Sequence, residues 1–424
     1  MIRVLRNPTY RALFFAQVLA LLGTGLLTVA LGLLAFDLAG DSAGAVLGTA
    51  LTIKMLAYVG VAPVVAALVD RLPKKAVLVG ADAVRFAVAL GLPWVTEIWQ
   101  VYVLVFILQS ASATFTPAFQ SLIPGVLPDS RDYTRALSLS RLAYDLESLL
   151  SPALAAVLLT VLTYNSLFLG TAFGFLCSAV LVLACRLPAA EASGDGFWSR
   201  LPTGIRTFAR TPALRFLMLA NVVVAAGTAI VLVNSVVYAR AVFRLDDAAL
   251  ALALGCYGVG SLAAALRVPW LVDRFGVIRT MLAGLAVIVA GLAAAVVVTG
   301  VLAAGRAGWP ALLAAWAVLG MGTSLVNTPS SRLLADSSTP ANRNLVYTAQ
   351  FALSHSCFLI TYPIAGWLGE GSLLGAAGVL TLLAAAGFAA ALAQTRKNGG
   401  SAWLQPERFE QPRGIDRVGA RSYR

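Results

Sequence analysis

Arg6 to Thr24, RNPTYRALFFAQVLALLGT, returns in the second half of the chain as Arg210 to Thr228, RTPALRFLMLANVVVAAGT. At constant offset Arg6 meets Arg210, Pro8 meets Pro212, Arg11 meets Arg215, Gly23 meets Gly227 and Thr24 meets Thr228. Gln17 meets Asn221, another carboxamide. Each copy is a basic lead-in to a long apolar run. The proline suits a first helical turn, where its missing N–H has no intrahelical partner to lose. Matches at Arg, Pro, carboxamide and Gly-Thr exceed what shared hydrophobicity supplies. The two stretches therefore read as the first helices of two halves of a duplicated membrane protein.

The repeat continues beyond them. Asp70-Arg71 corresponds to Asp273-Arg274, Thr116-Pro117 to Thr328-Pro329, and Pro152 to Pro363. Halves repeated in the same orientation are related by an axis along the membrane normal and place a cavity between them at the midplane.

Composition agrees with a membrane solvent. Of the 424 residues, 59% are hydrophobic and 12% charged, against about a quarter charged in a soluble domain. Apolar runs of about 20 residues, enough to cross the hydrocarbon layer, recur along most of the length. Lipid cannot satisfy backbone polar groups and the runs lack a two-residue alternation, so the spans are expected to be helices rather than barrel strands. The expected fold is an all-α membrane protein of twelve transmembrane helices in two pseudo-symmetric six-helix bundles. The spans fall near 10–37, 44–69, 76–95, 100–123, 137–162, 165–186, 213–239, 248–271, 277–300, 311–334, 345–368 and 372–394. Residues 1–187 form the N-terminal bundle, 188–212 a polar cytoplasmic connector and 213–394 the C-terminal bundle. The tail, 395–424, is expected to be disordered or to lie against the anionic inner leaflet.

The net charge of +12 is a topological signal rather than a nucleic-acid footprint. Lys and Arg gather in the segments on one side of the membrane, and the loops on the other side hold only Arg240, Arg244 and Arg306. That bias puts both termini in the cytoplasm. Cysteines 177, 185, 256 and 357 stand singly within apolar runs, without disulfide or zinc spacing.

Ala66 to Lys75, AALVDRLPKK, resembles the loop between the second and third helices of the major facilitator superfamily, G-x-L-x-D-R-x-G-R-K. Leu68, Asp70, Arg71, Lys74 and Lys75 match, while Ala66 and Pro73 replace the two glycines. Val272 to Gly276, VDRFG, is a weaker copy. The resemblance implies the major facilitator fold and alternating access. It also implies that Asp70, Arg71, Lys74 and Lys75, with Asp273 and Arg274 in the second copy, form a cytoplasmic latch.

Ser151 to Ala156, SPALAA, keeps only the proline of the antiporter motif G-P-x-x-G-G, with small residues at the glycine positions. The whole chain is similar to bacterial multidrug, macrolide and siderophore exporters. Leu137 to Pro152 also resembles nickel-resistance exporters, which can carry a His-rich tail; this chain has one His, outside the tail. The resemblance implies proton-coupled efflux of amphiphilic small molecules from a monomer in the bacterial inner membrane, without cofactor or resident metal. Export of nickel or a metal chelate is the alternative. A membrane-embedded enzyme would call for clustered His, Asp or Ser-His pairs near one leaflet, and a single His supports no such reading.

Ionisable side chains within a bilayer are expensive and ask for a partner or a role. Lys54, Arg85 and Glu147 all fall near mid-membrane, with Asp82 and Asp145 slightly nearer the cytoplasm. Asp82 and Arg85 at i, i+3 and Arg141 and Asp145 at i, i+4 are suited to pair. Glu147 lies on a different helix face from Asp145 and is the candidate proton carrier, against the alternative of a structural charge layer. The second half has no carboxylate within its predicted spans and offers His355, alongside Arg267 near an inner helix end. Polar lining of the substrate cavity is expected from Gln17, Thr24, Gln109, Thr114 and Thr116, and from Asn221, Thr228, Asn327, Gln350 and Ser354. Asn221, Thr228 and Ser235 make one stripe at seven-residue spacing that either lines the cavity or joins helices. The aromatics Tyr58, Trp316, Phe351 and Phe358 at similar depth suit an amphiphile.

Overall fold

The computed structural model describes residues 2–61, 72–127, 129, 132, 136, 139–140, 143, 147, 151, 153–185, 205–302, 307–338 and 343–397. Within them lie eleven long helices. In the first half these are α1 (Pro8–Ala39), α2 (Ala43–Leu56), α3 (Lys74–Gly91), α4 (Ile98–Val126) and α5 (Asn165–Ala184). The second half holds α6 (Pro212–Val236), α7 (Asp247–Ala265), α8 (Val277–Val297), α9 (Gly308–Asp336), α10 (Arg343–Pro363) and α11 (Leu373–Lys397). Ten stretches are long and apolar enough to cross a membrane, the first of which contains both α1 and α2. Most of the predicted fifth span, the connector from 188 to 204 and the tail from 398 lie outside the described residues.

The N-terminal Pro of each repeat does what the sequence suggests. Pro8 and Pro212 occupy first turns, and the Asn7 side chain accepts hydrogen bonds from the N–H groups of Thr9 (3.0 Å) and Tyr10 (3.1 Å). One span is shorter than its apolar run predicts. The eighth is expected to reach 271, but α7 ends at Ala265 and a separate short helix, Val268–Phe275, follows. Pro269 has no N–H to continue the ladder, so Arg267, expected near an inner helix end, sits at the break.

Helix pairing is duplicated along with the sequence. α1 packs on α5 as α6 packs on α11, and α3 meets α4 and α5 as α8 meets α9 and α11. Small residues set these contacts, since helices in lipid gain most from close backbone approach. A Cβ at Gly174 of α5 would lie 2.7 Å from the Leu19 carbonyl oxygen and 3.3 Å from Gly23 Cα. Next to it Thr171 donates to the Gly23 carbonyl at 2.8 Å. In the second half Gly322 and Gly284 bring α9 and α8 together, each within 2.9 Å of the other's carbonyl by the same measure.

The halves meet at one membrane face, that of the turns 40–43, 237–246 and 364–372. Gly44 and Gly48 of α2 stand one turn apart. A Cβ on Gly48 would come within 2.8 Å of Gly366 Cα and 2.9 Å of the Tyr362 carbonyl oxygen. Trp367 donates its indole N–H to Thr49 at 2.8 Å, and within the second half Asn234 donates to the Ala365 carbonyl at 2.9 Å. Gly366 belongs to a π-helical turn, Ile364–Leu368, that follows Pro363; the altered helical register there presents backbone rather than side chains to α2.

Gly174→Val should lower the unfolding temperature in detergent by several degrees, corresponding to about 1–3 kcal/mol of overpacking. Gly80→Ala, with nothing within 4 Å of its Cβ position, should leave it unchanged or higher. Equal effects of the two substitutions would contradict the close packing of α1 on α5.

Candidate functional site

Inward from the Gly48–Gly366 contact, α1, α2, α4 and α6 surround a narrow cavity. Its walls are Leu27, Leu31, Leu47, Leu51 and Leu232, with polar groups from Thr24, Thr28, Lys54 and Gln109. Thr24 and Thr28 donate their hydroxyl protons to the carbonyls of Ala20 (2.9 Å) and Thr24 (3.1 Å), leaving lone pairs toward the cavity. Lys54 supplies the one charge among these lining groups.

Glu147 is the electrostatic partner of Lys54. Its carboxylate reaches α1 at a notch without side chain: a Cβ on Gly25 would sit 3.4 Å from Glu147 Oε1 and would overlap Ser151. The pair thus joins α1, α2 and the segment bearing Glu147 and Ser151. Lys54 also acts on His355 of α10 across the boundary between the halves. His355 lies flat on Tyr58 of the first half, with ring centroids 5.5 Å apart and planes 2° from parallel, and packs on Phe351 at 4.2 Å. Its Nδ1 donates to the Phe351 carbonyl at 2.7 Å, so the ring is oriented and Nε2 points elsewhere.

Asp82 and Arg85 pair with each other as their spacing suggests, but away from the cavity walls. Asp82 is fully buried and accepts from Ser178 of α5 at 2.7 Å. The Arg85 guanidinium is sandwiched between the rings of Phe115 and Phe175, at 4.4 and 4.5 Å. This ion pair joins α3, α4 and α5. Arg141 and Asp145, and the side chain of Thr116, lie outside the described residues.

The expected polar lining divides. Gln17 accepts from Ser140 at 3.0 Å, and Asn221 exchanges two bonds with Gln350 at 3.2 and 3.4 Å. In each half the first helix is thereby tied to a residue of the fifth predicted span of that half. Thr228 meets the Tyr257 hydroxyl at 3.3 Å, and Ser235 receives the Trp316 indole N–H at 2.6 Å. The stripe of Asn221, Thr228 and Ser235 accordingly joins helices at each of its three positions. Trp316, expected at the cavity, is fully buried against Tyr238 in the core of the second half. Thr114 is buried and bonded to its own helix at Ser110, Ser354 donates to the Phe351 carbonyl at 3.1 Å, and Asn327 is half-buried on α9.

Of the latch residues, Asp70 and Arg71 lie outside the described residues. Lys75 donates to the carbonyls of Leu183 (2.6 Å) and Cys185 (2.8 Å), placing its charge at the C-terminus of α5, where unpaired carbonyls and the helix dipole favour a cation. Lys74 begins α3, Asp273 is exposed, and Arg274 lies over the rings of Trp270 and Phe275. Among the described residues no three His, Cys, Asp or Glu side chains stand together as a metal cluster.

The sequence profile of the Major Facilitator Superfamily matches residues 13–246 and 217–417. The chain belongs to that superfamily. It is a transporter rather than an enzyme, a multi-pass protein of the lipid bilayer. Macrolide efflux protein A of Enterococcus faecalis is 28% identical over 38% of this chain and 51% of its own length. The protein of the same name from Streptococcus pyogenes is 28% identical over 38% and 40%. The chain thus matches about half the length of these curated relatives. Among solved structures, a point mutant of the nucleoside transporter NupG superposes with a TM-score of 0.73 at 14% identity, over 91% of this chain and 99% of its own. A bacterial homolog of the human lysosomal transporter Spinster, inward-facing and unoccupied, superposes at 0.67 with 12% identity over 93% and 98%. At such identities the likeness is one of fold.

Sequence reading missed Tyr257, although the register that pairs Asp70 with Asp273 also pairs Lys54 with Tyr257. It also missed the Phe115 and Phe175 sandwich, because apolar spans offer no pattern that distinguishes one phenylalanine from another.

Arg85→Ala should destabilise the protein by about 3–5 kcal/mol by leaving Asp82 buried without its cation. The double replacement Arg85→Met with Asp82→Leu should recover most of that loss in thermal unfolding. A double variant no more stable than the single one would refute the uncompensated Asp82 charge as the cause of that loss.

Proposed function

We propose that this transporter is a proton-coupled exporter of amphiphilic small molecules, drug- or siderophore-like, in a bacterial inner membrane. It works by alternating access as a monomer with both termini cytoplasmic. The observation that carries this reading is the pairing of Lys54, on the wall of a leucine-lined cavity, with Glu147, which reaches between helices at Gly25. Names of relatives matched over about half their length, macrolide efflux proteins, favour export of an amphiphile. The distribution of Lys and Arg favours cytoplasmic termini, in which case the close contact at Gly48 and Gly366 lies at the outer face.

The mechanism follows from the cost of charge in a low-dielectric site. An ionised Glu147 matched by Lys54 forms a neutral couple, and a protonated Glu147 leaves Lys54 as a lone cation. The two states differ in how well α1, α2 and the Glu147 segment hold together. A proton taken up on one side and released on the other is then linked to which arrangement of the halves is favoured. The substrate occupies the cavity against the leucines, while Thr24, Thr28 and Gln109 meet its polar groups. Asp70, Arg71, Lys74 and Lys75, with Asp273 and Arg274, serve as the latch at the cytoplasmic face, and Lys75 contributes through the end of α5.

Glu147→Gln should abolish efflux driven by a pH gradient in proteoliposomes while retaining substrate counterflow, which needs no proton. Gradient-driven efflux that survives Glu147→Gln at normal protein level removes Glu147 as the coupling group.

A further inference from the structure

Basic residues are scarce in the loops on the side where the halves meet, and a cation placed against that bias asks for a local reason. Arg240 is one of them. It lies in the π-helical turn Val237–Val242 that follows α6, and its guanidinium is engaged on three sides. It donates to the Leu245 carbonyl at 3.1 Å and pairs with Asp247, the first residue of α7, at 3.0 Å. The third contact crosses to the other half: the guanidinium carbon stands 5.3 Å from the ring centre of Phe36, near the end of α1. One turn earlier α1 meets the second half directly, since a Cβ on Gly32 would lie 3.1 Å from Leu250 Cδ2 of α7.

The neighbouring carboxylates act the other way. Asp37, which follows Phe36, is exposed, and it is an electrostatic neighbour of Asp247 across the same boundary. The Tyr164 hydroxyl is hydrogen-bonded to Asp37. Asp246 adds a third carboxylate, which caps α7 by accepting from the Ala249 N–H at 3.1 Å. One guanidinium thus draws the halves together while like charges on Asp37 and Asp247 push them apart. The Arg240 and Asp247 side chains are 28% and 33% exposed. An ion pair this open to water is weak, as is a cation–π contact beside it. Weak contacts suit a junction that must part in every transport cycle.

Resting on the alternating-access reading above, with this face outward, we propose that Arg240 is the clasp of the outer gate. Docked on Phe36 and held by Asp247, it favours the arrangement in which the halves touch at this face, and Asp37 opposite Asp247 favours their separation. None of these four side chains lines the cavity. They set how often the outer face opens rather than what the cavity holds.

Hydrogen–deuterium exchange of the purified full chain in lipid nanodiscs tests this, because backbone amides report local opening. In Arg240→Ala, exchange should rise about three- to tenfold in residues 30–39 and 247–256, the scale of one exposed ion pair and one cation–π contact. Alternating access adds a second sign: exchange should fall at the opposite face, in residues 74–80 and 272–280. Asp37→Asn should reverse both changes. A rise at both faces in Arg240→Ala would mark a merely structural role and overturn the clasp, as would exchange unchanged in both variants. The measurement uses no substrate and no proton gradient, so failure of proton-coupled export appears separately. A chain that shows the two-signed pattern yet keeps gradient-driven efflux in Glu147→Gln retains the clasp and loses the coupling group.

Discussion

The contact of α2 with the end of α10 governs the rest of this molecule. Gly44, Gly48 and Gly366 let two main chains meet where any side chain would hold them apart. In lipid there is little hydrophobic gain from bringing two apolar helices together, and close van der Waals approach has to supply the attraction. The π-helical turn after Pro363 gives α10 the local geometry for this approach. Inward from that contact lies the cavity with Lys54 on its wall. Further inward, Tyr58 packs on His355 and Phe351 across the same seam.

Charge is distributed according to the same constraint. Asp82 and Arg85 are buried together, each satisfied by Ser178 or by aromatic faces, and their place away from the cavity suits a fixed joint of α3, α4 and α5. Lys54 and Glu147 differ in that Lys54 lines the cavity and Glu147 reaches Gly25 of α1. Equal depth in the membrane therefore conceals two different uses. A pair enclosed within one packed unit has no reason to change during transport, whereas a pair joining separately packed segments responds to how those segments sit.

Much of this is legible in the chain. The repeat of Arg6–Thr24 sets the plan of two parallel halves, and the spacing of Asp82 and Arg85 sets their pairing, because both depend on local periodicity. Legibility fails where long-range packing decides. Depth alone makes Ser235 and Trp316 candidates for the cavity, yet they bond each other within the core. Depth along a helix follows from counting residues, but the direction a side chain faces depends on which neighbour packs there, and in spans apolar on all sides the sequence carries no amphipathic stripe to reveal it. The break after Ala265 is foreseeable from Pro269, and the run of apolar residues on both sides conceals it.

Divergence between the halves is the final consequence of duplication in a low-dielectric solvent. The register that pairs Pro152 with Pro363 sets Glu147 opposite Phe358, as the earlier register sets Lys54 opposite Tyr257. A symmetric protein would carry two charge couples, and each change of state would have to rematch or neutralise both. Replacing one couple with Phe and Tyr removes that second electrostatic cost while keeping helix packing equivalent, as the shared tie between first and fifth spans indicates. The neutral half then keeps a constant character through the cycle, and only the charged half needs to respond to a proton.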